Sequence, residues 1–255
     1  VAVSDSAEVN VVGEAASIIV SNGRGGQGQS SRLEITGGGT VTVDSKGYLD
    51  SIVALGWQAG TDGSATITGK GSRLVVRSDE VQFNSYLTGT VSVGADGAGD
   101  MTVSYGASVQ ARQVSLGAFG SESGTGTLDV TSGGRVDVLS YAATPYQGLR
   151  IADGPGTTGI VTVSGEGSAL VSRGAGGDGG QGASRILVGR DGDGTLDVTD
   201  GGYVAGFFFE VGRGQDGRPG TGTLNISGEG SLLKGSDEFG TFRAFDDEGN
   251  VTGAS

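Results

Sequence analysis

Chemistry in this chain has to come from carboxylates, hydroxyls and aromatic rings, because its 255 residues include no histidine and no cysteine. That excludes Cys/His zinc sites, haem held by His or Cys, disulfide frameworks, cysteine nucleophiles and every His-containing triad. Asp129 and Asp197 occupy the same place in two copies of G-T-L-D-V-T and are the candidates for paired-acid work. Glycoside hydrolysis needs two such groups about 5–9.5 Å apart. The pairs Asp62-Gly63, Asp96-Gly97, Asp153-Gly154, Asp191-Gly192 and Asp216-Gly217 are oxygen-rich and could suit calcium. None fits the nonapeptide that binds calcium between coils, and turn chemistry accounts for them, so no cofactor is expected. Three aromatics stand where side chains should face outward. Trp57 follows Gly56 where sister segments carry Arg190 and Arg213, and Tyr203 precedes Val204 at a position held elsewhere by Arg135. In F-F-F-E-V at 207–211, alternation turns Phe207, Phe209 and Val211 inward and Phe208 outward. Rings so placed suit stacking on sugars or on a partner protein.

The elements that would position these groups are set by an internal repeat. G-T-L-D-V-T-x-G-G occurs at 126–134 and 194–202, and a sister form ending in G-x-G-S occurs at 65–72, 161–168 and 224–231. Weaker copies start at Val9, Val41 and Met101. The second apolar residue of each unit gives a row of core anchors: Val11, Val43, Ile67, Val103, Val130, Val163, Val198 and Ile226. Their spacing runs from 24 to 36 residues, with a mean of roughly 31. Apolar residues alternate with polar ones inside each unit, and no helical periodicity appears. After the glycine corner comes a second short strand, and a third ends in apolar-Gly at 53–56, 91–94, 114–117, 187–189 and 209–212. A unit this short buries its apolar face only by stacking on the next. The pattern predicts an all-β right-handed parallel β-helix of about eight three-stranded coils. A propeller would need longer antiparallel strands with hairpin signals. G-x-G-S reads as a coil corner rather than a phosphate loop, because no helix follows it.

Residues 1–255 read as one solenoid domain and as a segment of a longer solenoid. Residues 1–3 look like the third strand of a preceding coil and 249–252 like the opening of another, which should favour self-association. Length varies chiefly between second and third strands, as at 139–148 and 172–184, which marks one edge as the contact surface. Asn10, Thr42, Thr66, Thr102, Asp129, Thr162, Asp197 and Asn225 should form an outward polar row. Unequal coil lengths and two acids argue against the regular threonine array of an ice-binding face. The net charge of −13 argues against nucleic acid or an anionic membrane as partner. No run of 18 apolar residues is present to span a membrane as a helix.

The G-T-L-x-V-T-x-G-G-x-V units, alternating with T-V-S-G-x-G-S units and joined by V-G-R and Gly-rich loops, resemble passenger domains of bacterial autotransporters. The likeness covers roughly residues 8–245. Leu74, Leu170 and Leu233 stand where that family often carries tryptophan, and its translocating barrel is not among these residues. The resemblance implies an adhesin-type β-helix of a Gram-negative bacterium, secreted or held at the outer membrane. It would serve as a stalk or adhesive segment without catalysis. Its partners would be a host surface, a glycan or neighbouring copies, with Trp57, Tyr203 and Phe208 as contact residues. The other reading of the same repeats is a polysaccharide-binding or depolymerising β-helix such as a phage tail-spike.

Overall fold

The structure, a computed structural model, describes residues 1–22, 28–46, 51–78, 88–117, 123–140, 148–174, 184–214, 220–235, 241–245 and 251–254. Its strands form three sheets of eight, eight and nine, and each coil gives one strand to each sheet. The first sheet runs Ala2–Val3, Gln29–Ile35, Thr61–Thr68, Ala98–Ser104, Thr125–Thr131, Thr158–Ser164, Asp193–Thr199, Thr221–Ser227. The second runs Glu8–Gly13, Thr40–Ser45, Arg73–Ser78, Ser108–Ala111, Arg135–Ser140, Ala169–Gly174, Tyr203–Ala205, Leu232–Lys234. The third runs Ser17–Val20, Ser51–Leu55, Thr88–Val93, Gln113–Leu116, Gly148–Ile151, Arg185–Val188, Phe208–Val211, Thr241–Phe245, and closes with Val251–Ala254. Neighbours pair in parallel throughout, except that the last strand pairs antiparallel with Thr241–Phe245. The chain is a right-handed parallel β-helix of eight three-stranded coils, and no helix occurs among the described residues.

Alternation fills the interior with apolar ladders in one-to-one register. Ile67, Val103, Val130, Val163, Val198 and Ile226 stack in the first sheet as the repeat predicts. Val11 and Val43 do not join them; they stack on each other, and Val43 on Val76, in the second sheet. Val3 and Ile35 hold the first-sheet row in those two coils. A V-x-V strand looks the same on either side of a glycine corner, and here both copies follow the corner instead of preceding it. Asn10 and Thr42 move with them, and Glu34 takes the outward first-sheet place beside Thr66. With Val3 and Ile35 as anchors the first two steps are 32 residues each, and the interval of 24 disappears.

The corner from first to second sheet is the most uniform feature of the coil. Three-residue corners put two successive residues at positive φ, as at Ser132 (51°) and Gly133 (77°), or Asp200 (53°) and Gly201 (88°). Four-residue corners are the G-x-G-S segments, where Gly165 and Gly167 have φ of 89° and 80° and the serine is buried. That serine ties each G-x-G-S corner to the three-residue corner of the coil before it. The Ser168 hydroxyl donates to the Ser164 carbonyl (2.7 Å) and accepts from the amide of Gly133 in the preceding corner (3.0 Å). Ser72 does the same with Thr68 and Gly38, and Ser231 with Ser227 and Gly201. Ser168→Ala removes both bonds, so a loss of about 1–3 kcal/mol is expected. A urea midpoint unchanged from the parent, with Gly133 amide exchange equally slow, would remove this role from the serine.

Length differences are absorbed at the other corners. Between second and third sheets the link ranges from Arg112 alone to residues 175–184, and between third and first from 94–97 to 212–220. Variation is therefore not confined to the second-to-third link. Of the two long links anticipated there, 141–147 and 175–183 lie outside the described residues. The residue after the third strand turns the chain at positive φ, glycine at 56, 94, 117, 189 and 212 but Ser21 and Ala152 in the first and fifth coils, and a Cβ at Gly189 would overlap the Thr221 carbonyl oxygen.

The ends differ from their sequence reading. Ala2–Val3 lies in the first sheet, with Asp5 and Ser6 (φ 54° and 61°) forming a first-to-second corner. Val251–Ala254 folds back on Thr241–Phe245 and does not open another parallel coil. Both terminal coils leave apolar side chains in solvent: Val1, Val9 and Val12 at one end, Ile226 and Leu232 at the other.

Candidate functional site

The three outward faces differ in character. On the first sheet the outer rows are mostly hydroxyls and carboxylates in strict register, including Thr102, Asp129, Thr162 and Asp197, with Asn225, Arg32 and Ile160 among them. Unequal coil lengths do not disturb this row; its acids are what break the threonine pattern. Asp129 and Asp197 flank Thr162, two steps of ~4.8 Å apart, on a flat sheet face. Asp197 accepts from Asn225 Nδ2 (2.7 Å) and Asp129 is exposed, so the structure does not join the two acids to each other.

From the second coil to the seventh the outward row of the third sheet is covered as well, which the sequence reading missed. Its outward row, Ala54, Ser92, Ser115, Arg150, Leu187 and Glu210, is sequestered from solvent. The signal was available: in V-A-L, V-S-V and V-S-L the outward residue is small, as a covered face requires. Farther along, the small residues give way to paired charges. Asp153 is gripped by Arg150 and by Arg190 (3.4 Å), with side chains only 6 %, 10 % and 11 % exposed. Glu210 faces Arg213 (2.8 Å) and Arg185 (3.8 Å). Thus the Asp153 carboxylate is committed to two guanidiniums. Among the described residues no cluster of three acids is arranged to hold a metal, and Asp216 lies outside them.

The aromatic candidates do not converge on one place. Trp57 sits at a third-to-first corner in the second coil, half-buried, its amide donating to the Ser21 carbonyl (3.1 Å). Tyr203 and Phe208 belong to the seventh coil, five steps or ~24 Å away. Phe208 is half-buried in the third sheet with the Arg185 guanidinium 5.2 Å from its ring centre, a cation–π contact. Phe207, expected inside, is half-buried on the outer surface. Residues 206–207 form the corner between Tyr203–Ala205 and Phe208–Val211, and alternation does not carry through a corner.

Tyr203 and Phe207 are instead brought together on the second sheet. They flank a groove of about 350 Å³ with Val171, Arg173, Gly174 and Lys234 around it. The outward row here runs Val171, Ala205, Lys234, so a small side chain lies between two longer ones, with Gly206 at the corner just beyond the three-residue strand Tyr203–Ala205. The groove's described lining carries two bases and no acid, on a chain whose net charge is −13. Beside it, Asp137 accepts two bonds from Arg135 (2.6 and 2.7 Å) and a longer one from Arg173 (3.4 Å). The Asp137 hydrogen bond raises the Arg135 pKa above its ordinary value, and the pair holds itself together. The Arg173 side chain stays 58 % exposed.

No family model, no curated protein and no solved structure matches the chain.

Proposed function

We propose that this chain is an adhesive β-helix displayed outside a bacterial cell, a stalk-like passenger of the autotransporter kind that presents a contact site on the flank of its rod. The observation that supports this reading is the groove at Tyr203 and Phe207: a recessed, basic and aromatic surface on an acidic rod whose ladders run in register from end to end. The repeat resemblance supplies the place, at the outer membrane. The proposed partners are a host surface or its glycans, and no covalent step is assigned to the chain.

The test is adhesion. Beads carrying the 255-residue chain are passed in flow over glycoprotein-coated and albumin-coated surfaces. Retention on the glycoprotein alone is the expected result. Retention no better than on albumin would remove the adhesive role. Steady release of reducing ends from a polysaccharide panel would replace it with a depolymerising β-helix.

A further inference from the structure

We infer that the groove formed by the sixth to eighth coils takes an anionic sugar unit of a glycan chain, its ring against Tyr203 and Phe207 and its acidic group against Arg173 and Lys234. This assignment rests on the adhesive reading and narrows it to a ligand class and a place. A pyranose has an apolar C–H face and a polar edge, and an aromatic side chain offers the matching flat apolar body. Tyr203 and Phe207 line the groove together with the small residues Ala205 and Gly206. The volume of about 350 Å³ lies at the small end of ligand sites, which run from roughly 300 to 1,000 Å³.

The charge selects among sugars. A guanidinium on a half-extended arm meets a carboxylate or sulfate in fork geometry, and an ammonium adds a point charge. Asp137 does not cancel this field, because its two oxygens already take the shorter bonds from Arg135. On a rod of net charge −13, a polyanion is repelled by most of the surface and welcomed only at such a patch, which fixes where it lands. The other faces lack this combination. The first-sheet strands carry no aromatic residue and their Arg32 is paired with Glu34 (2.8 Å), while the acidic groups of the third sheet are already held by arginines.

Titration calorimetry with hexagalacturonate, a heparin hexasaccharide, maltohexaose and hexaglutamate separates the possibilities. The expected result is binding of one or both anionic sugars, with maltohexaose and hexaglutamate each weaker by at least about tenfold. Tyr203→Ala and the double variant Arg173→Gln/Lys234→Gln should each weaken the anionic sugar by about tenfold or more. Lys70→Gln removes one positive charge from a distant exposed corner and should leave binding unchanged. All three alter outward side chains, and an unchanged melting temperature shows that the rod is intact. Hexaglutamate binding as tightly as the sugars would reduce the groove to a charge patch. Equal affinity of parent and groove variants would overturn the assignment. If the beads adhere but neither anionic sugar competes, the groove assignment fails while adhesion stands; if they do not adhere, the broader reading fails.

Discussion

Val130→Asp is expected to unfold the middle of the rod, whereas Asp129→Asn, one residue away, is expected to change almost nothing. Val130 has no exposed surface and is stacked between Val103 and Val163, so an aspartate there finds apolar side chains above and below. Burying an unpaired carboxylate costs several kcal/mol, a large part of the roughly 5–15 kcal/mol that holds a domain folded. Asp129 points the other way, between Thr102 and Thr162, and loses only a solvated charge; about ±0.5 kcal/mol is the expected range. Thermal and urea unfolding of the two variants side by side decides the matter. Coincident midpoints would contradict the inside–outside assignment of the first sheet.

The second large effect is expected at Asp153→Ala. This carboxylate is the shared counter-charge of Arg150 and Arg190, and all three side chains are nearly sealed from water. A buried ion pair adds little net stability when intact, but removing one partner leaves the other charges uncompensated, at a cost of about 3–5 kcal/mol. Asp193→Ala, at an exposed first-sheet position, is the control and should be near neutral. Equal loss in both variants would mean that the Asp153 cluster carries no special weight.

Much of the architecture was legible because a solenoid writes its rules locally. Period-two strands, glycine corners and the closing apolar-Gly each appear in single coils, and their recurrence points to stacking. The errors arose where the local signal is degenerate. Val9 and Val41 open V-x-V patterns that read the same in either sheet; glycines 37–39 mark the corner before Val41, but the corner before Val9 is Asp5-Ser6-Ala7 and carries no glycine. Phe207 was placed inside by extending alternation across a corner. The groove was invisible for another reason: Val171, Tyr203 and Lys234 become neighbours only once the coils are in register, and unequal links hide that register. The buried charges had a readable sign in Arg150 and Glu210, each set between apolar neighbours on a third strand.

The direction of the hydrogen bonds has a mechanical consequence. In all three sheets they point along the rod axis, so a pull on its two ends loads them head-on and in series rather than in shear. Such a rod does not give everywhere at once. Each coil that lets go supplies a tether of about 32 residues, roughly 100 Å of extended chain. The groove draws on three successive coils, so it lasts only while the ladders joining those three hold. A coil released elsewhere lengthens the tether and leaves Arg173, Tyr203 and Lys234 in place.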